Sequence, residues 1–295
     1  MAANGSRRYI LRKVWNEMKN LTRSLPPARL VCAGLVAALG AALSTAQAAP
    51  PATILAASLT AQAGYGTIKG RLVWESAEVP SLKVLVAKGE AQKDPQVCAR
   101  VEAIPSRELV VDPSTKGVQY GYAYLVKPQG EYSAAAKELV AKAPKVEIDQ
   151  KNCEFIPHVA ALHQSQDLVL KSSDPVTHNI RFTSFTNGAF NQVLSPNGQV
   201  ELKLIEERRP IPLACDIHPW MRGYVMVFAH PFFAVTGEDG SFEITGVPAG
   251  TQNLVLWQEK VGYVNQGGAR GIPVEVAANQ VTNVGDIPIN PAKAK

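Results

Sequence analysis

Ile211-Pro212-Leu213-Ala214-Cys215-Asp216-Ile217-His218-Pro219-Trp220-Met221-Arg222-Gly223-Tyr224-Val225-Met226-Val227-Phe228 sets a thiol, an imidazole and a thioether in one short connection between two strand-like runs. Thr177-His178-Asn179, upstream, offers a second imidazole. Two His and one Cys in a trigonal plane, with a long axial Met, form the ligand set of an electron-transfer copper site. Thiolate and thioether favour Cu(I) while imidazoles accept Cu(II), so such a site keeps its metal through a redox cycle. The bland alternative is a buried free Cys, a hydrogen-bonded loop His and a core Met. A structural zinc site fits less well, because Met is a poor zinc ligand and a second Cys pair is missing.

The C-x2-H-x2-M element, with Asn179 directly after the upstream His, resembles the cupredoxin family of blue copper proteins, and within it the short amicyanin type of ligand loop, which also runs Pro, aromatic, Met-Arg-Gly. The resemblance implies one type 1 copper ion held by His178, Cys215, His218 and Met221. It implies that Asn179 braces the loop carrying Cys215, with Pro219 beside the ligands. It further implies that His218 reaches the surface, with Pro219 and Trp220 forming an apolar collar for a redox partner. His158 is a further candidate ligand, although a core or rim imidazole is the plainer reading.

Residues 1–29 hold Arg7, Arg8, Arg12, Lys13, Lys19, Arg23 and Arg29 against the single acid Glu17. The apolar run Leu30–Leu39 follows and ends near Ala46-Gln47-Ala48. This pattern predicts a secretory signal peptide over 1–48, with an uncleaved anchor as the alternative. A flexible Ala-rich leader is expected over 49–63. The whole chain has 30 basic and 25 acidic residues, of which 1–48 contains seven and one, leaving 23 and 24. That near-neutral remainder argues against nucleic acid as a partner.

An exported chain would retain Cys98, Cys153 and Cys215. With Cys215 used as a ligand, Cys98 and Cys153 are left as the one available disulfide; two unpaired thiols are the alternative.

Short β-branched runs between Gly, Pro, Asn and Asp predict an all-β chain, with one helix expected near Ser133–Lys142, ended by Pro144. Phe155–Val159, Leu168–Leu170 and Asp174–Asn179 read as the strand series leading to the first ligand. A Greek-key cupredoxin sandwich or barrel is expected over 64–230. Strands near 67–74 and 118–126 would complete it, with a long insertion at about 75–150; a separate small sandwich at 64–145 is the alternative. Residues 231–290 carry Asp239-Gly240-Ser241-Phe242-Glu243-Ile244 and Val247-Pro248-Ala249-Gly250, then Leu254. That pattern resembles the carboxypeptidase regulatory-like, transthyretin-like small β-sandwich, and 291–295 form a tail. Some members of that family bind sugars, so a carbohydrate contact is implied as an option beside a purely structural role.

The chain is therefore expected to be a periplasmic or secreted electron carrier, not an enzyme, working between redox protein partners. Membrane contact would arise only from a retained N-terminal segment. A non-redox scaffold that binds copper or carbohydrate is the alternative. Multicopper oxidase chemistry lacks its His-Cys-His element here, and a binuclear copper centre lacks its neighbouring Cys pair.

Overall fold

The computed structural model describes residues 64–294. The signal-peptide and leader readings, and Cys32, lie outside the described residues. Along the chain come β1 (Tyr65–Trp74), β2 (Val84–Val86), β3 (Ile104–Pro105), β4 (Tyr122–Leu125) and the helix α1 (Ala134–Lys142). The middle supplies β5 (Lys145–Lys151), β6 (Glu154–Ile156), β7 (Val159–His163), β8 (Asp167–Ser172), β9 (His178–Thr183), β10 (Ala189–Leu194), β11 (Gln199–Lys203), β12 (Ile211–Ala214) and β13 (Arg222–Phe228). The C-terminal part adds β14 (Phe233–Val235), β15 (Ser241–Pro248), β16 (Gly250–Gln258), β17 (Gly262–Tyr263), β18 (Ile272–Val276) and β19 (Val281–Ile289). The fold is all-β, as the sequence implies.

Strands β5 to β13 form one body from two sheets, ordered β10-β9-β12-β13-β7 and β11-β8-β5-β6. Ile148, Leu162, Leu168, Leu170, Ile180 and Ile211 fill the space between them, each at most 1% exposed. β13 pairs in parallel with β7, and Gly223 sits one residue before that pairing begins, against the backbone at His158. A Cβ there would lie 2.8 Å from the His158 carbonyl oxygen, so this position takes no side chain.

The second body is a sandwich of β15-β1-β19 against β14-β4-β16-β17, with β18 paired to β16. Along β1, Ile68, Leu72 and Trp74 turn inward on the two-residue period of a strand. They meet Phe232, Leu254 and Leu256 in a single core. β1 is central in its sheet, antiparallel to β15 and parallel to β19.

This arrangement corrects the expected boundaries. The strands at 65–74 and 122–125 do not complete the barrel that carries the ligand loop, nor do they form a sandwich of their own over 64–145; they supply β1 and β4 to the C-terminal sandwich. The barrel is thus inserted between β4 and β14. Alternation along β1 states which face is buried but not which sheet receives it, so the sequence was silent on the partner. The stretch 75–150 also divides. Val86, Cys98 and Ile104 join the barrel core, whereas Val111, Val118 and Ala136 join the sandwich core.

Helix α1 starts where expected: the Ser133 hydroxyl accepts the Ala136 N–H at 2.9 Å, a side-chain N-cap. The two bodies meet over an aromatic seam. Tyr122, fully buried, donates its hydroxyl to the Ala160 carbonyl at 2.9 Å, and Tyr224 and Trp257 pack edge to face at 5.3 Å.

Phe232 is 0% exposed in the sandwich core. Phe232→Ala is expected to destabilise the protein by about 3–5 kcal/mol, read as a lower denaturant midpoint in equilibrium unfolding.

Candidate metal centre

The connection 215–221 is held at both ends by the antiparallel pair β12 and β13. It is closed internally by Met221 N–H to the His218 carbonyl at 2.9 Å and by Cys215 N–H to the Met221 carbonyl at 3.4 Å. The His218 N–H points at Cys215 Sγ, 3.4 Å away. From the neighbouring strand, Asn179 Oδ1 accepts the Asp216 N–H at 2.6 Å, and its Nδ2 donates to Asp216 Oδ2 at 3.1 Å. Asn179 thus ties β9 to the loop.

β9 begins at His178, and the three side chains meet. One ligand atom each from His178, Cys215 and His218 lies within 4.8 Å of the others. All three residues are at most 2% exposed. Met221 is buried on the same loop.

Both imidazoles are fastened from behind. His178 Nε2 donates to Asp174 Oδ2 at 2.9 Å, and His218 Nε2 donates to Asp94 Oδ2 at 2.9 Å. An ionised carboxylate only accepts, so the proton sits on Nε2 and each Nδ1 is left for another partner. The His178 Nδ1 is buried without a hydrogen bond, and the His218 Nδ1 lies 3.8 Å from Cys215 Sγ. A carboxylate behind a histidine in this way orients the ring and raises its basicity toward a metal.

The electrostatics agree with a ligand set. Burial raises the Cys215 thiol pKa, but the neighbouring His178 and His218, with the backbone N–H groups of Asn179 and His218, outweigh it and bring the value down to about 6. Burial lowers the His178 pKa, yet Asp174 and the Cys215 sulfur outweigh it and carry the value up to about 9. Asp174 is held below the ordinary carboxylate range: its burial is outweighed by His178 and by the N–H groups of Cys153 and Asn152. Between these limits the metal-free cluster is a thiolate beside an imidazolium, ready to exchange one proton for a cation.

Cys98 and Cys153 form a disulfide, and Cys215 is free and buried. The bridge lies against the cluster. Ligand-type atoms of Cys98, Cys153 and His218 fall within 4.8 Å of one another, as do those of Cys153, Asp174 and His178. Both carboxylates belong to its neighbourhood: the Cys98 N–H donates to the Asp94 carbonyl at 2.9 Å, and the Cys153 N–H to Asp174 Oδ2 at 2.8 Å.

Three expectations change. His218 is 0% exposed rather than at the surface, because the segment bearing Asp94 and Cys98 covers its outer edge. Pro219 and Trp220 therefore form no collar around an open imidazole. Trp220 is half-buried, its ring 5.3 Å from that of His218, and its Nε1 donates to the Cys153 carbonyl at 3.1 Å. His158 is not brought to the cluster, since its Nε2 is bonded to Glu259 Oε2 at 2.5 Å. Asp174 and Asp94 were missed at the sequence level. The first lies four residues before His178, a readable signal; the second is 124 positions from His218, with no local sign.

Asp94→Ala is expected to weaken binding of a thiophilic metal by roughly 10–100-fold, the usual effect of removing a group that orients a ligand, in competition with a chelator. In metal-free protein the ultraviolet band of the Cys215 thiolate should appear as pH rises through about 6, and be missing in Cys215→Ser. Above that pH and below about 9, the value to which His178 is raised, metal binding should release the His178 proton. Calorimetry in buffers of different ionisation enthalpy reads that release.

No protein-family model matches the chain, and no curated protein matches it. Solved structures similar to part of it include cupredoxins and a copper enzyme. A purple cupredoxin from Nitrosopumilus maritimus shares 21% identity, with 28% of this chain and 99% of that one covered and a TM-score of 0.25. An amicyanin variant in the Cu(I) state shares 19%, covering 36% of this chain and 98% of its own, with a TM-score of 0.27. A copper-containing nitrite reductase from Thermus scotoductus SA-01 shares 16%, with a TM-score of 0.26. This chain is aligned with only 22% of the reductase and supplies 28% of its own length to the match.

Proposed function

We propose that the chain is an exported copper protein that passes single electrons between redox partners through one type 1 site. The observation that carries this reading is the convergence of His178, Cys215 and His218 with both Nε2 atoms already spent on carboxylates. The orphaned, buried Nδ1 of His178 is the atom that a metal would satisfy. A thiolate with two imidazoles suits copper better than magnesium or calcium, which take oxygen ligands. Bound there, copper would supply a one-electron couple.

The chain's own residues do the rest. Cys215, His178 and His218 would hold the ion, with the Met221 thioether as a further weak donor. Asp174 and Asp94 fix the rings, and Asn179 fixes the loop, so the ligands have little freedom to rearrange when the charge changes. The disulfide supports export, since such bonds persist in oxidising compartments. A copper-holding role without electron transfer is the second reading, favoured by the complete burial of His218.

Loaded with Cu(II), the protein should show an intense thiolate-to-copper band that ascorbate bleaches and an oxidant restores; Cys215→Ser should lack it. A colour that cannot be cycled would favour the holding role, and retained colour in Cys215→Ser would remove the site. Met221→Gln should keep copper and lower the reduction potential, because an oxygen donor favours Cu(II); voltammetry of the two forms measures it.

A further inference from the structure

A second pair of buried ionisable side chains lies outside the metal cluster. The side chains of His158 and Glu259 are 6% and 7% exposed. His158 belongs to the barrel, just before β7, and Glu259 to the turn after β16 in the sandwich. Both line a cavity of about 480 Å³, within the size range of small-molecule sites.

The walls of that cavity decide what fits. Phe155, Trp220 and Tyr224 present aromatic rings, and Leu85, Ile104 and Met221 add aliphatic surface. Among the lining residues Arg107 is bonded to Glu154 at 3.2 Å and the Glu259 carboxylate to His158, while Arg222 stands at the rim. Because the Glu259 carboxylate accepts, the His158 proton lies on Nε2, leaving the Nδ1 of His158 and the Oε1 of Glu259 as acceptors. Among the described residues neither atom has a hydrogen-bond partner. A recess with aromatic walls and unpaired acceptors calls for a flat ligand that donates a hydrogen bond.

The geometry points to a binding site for a small hydroxylated aromatic, its ring between Phe155, Trp220 and Tyr224 and its hydroxyl donating to the His158–Glu259 pair. The site needs no metal. Trp220 and Met221 line the cavity and belong to the ligand loop, so the two sites share one loop.

The test titrates metal-free protein with phenol and with toluene, which has a similar shape but no hydroxyl, followed by calorimetry and by intrinsic tryptophan emission. Phenol should bind at least about tenfold more tightly than toluene, a difference of about 1.4 kcal/mol, and should shift the emission. Glu259→Gln should bring the two ligands to within about threefold of each other. Ser106→Trp, which places an indole in the cavity while keeping the pair, should abolish binding of both. Absence of phenol binding at tens of millimolar, equal affinity for phenol and toluene, or unchanged binding in Ser106→Trp would each overturn the assignment. Copper loading of the same variants is scored separately, so loss of one site is distinguished from loss of the other.

Discussion

Two Nε2–H groups donated to two buried or half-buried carboxylates govern the centre of this molecule. A ring nitrogen buried without a partner costs about 1–3 kcal/mol, and each carboxylate removes that cost while deciding which nitrogen faces inward. Asp174 is itself fixed by the N–H groups of Asn152 and Cys153, and Asp94 shares its turn with Cys98. The Cys98–Cys153 bond joins those turns. Ligand geometry therefore follows from a covalent link between segments that contribute no ligand themselves.

The same segment changes what a partner would meet. In the arrangement the resemblance implies, the outer edge of the second imidazole faces solvent. Here that edge is given to Asp94, whose side chain is 24% exposed, so the accessible group above His218 is a carboxylate. Trp220 is drawn inward by its bond to the Cys153 carbonyl and becomes part of an interior wall instead of a docking rim.

Much of the centre was legible because its parts are local. Cys215, His218 and Met221 lie within one turn-sized loop, and Asn179 directly follows His178, so residue type and spacing were enough to bring them together. The helix at Ala134–Lys142 was likewise readable from its Ser cap and its run of helix formers. What escaped was long-range. The Asp94–His218 and His158–Glu259 pairs span 124 and 101 positions, and a lone carboxylate in a loop carries no local sign of a partner so distant. The assignment of β1 failed for a related reason: the period of a strand reports burial, whereas sheet membership depends on which other strands are present.

The insertion of the barrel between β4 and β14 has a consequence for how the chain comes into being. β1 pairs with strands that begin at Ser241 and Val281. As the polypeptide emerges from the ribosome or from a translocation channel, all strands of the barrel arrive before either partner of β1. The barrel can close while β1 and β4 still wait with apolar faces uncovered. Contacts of such sequence separation form late, and a strand left waiting is open to foreign pairing. The sheet around β1 is complete only when β19 reaches its place.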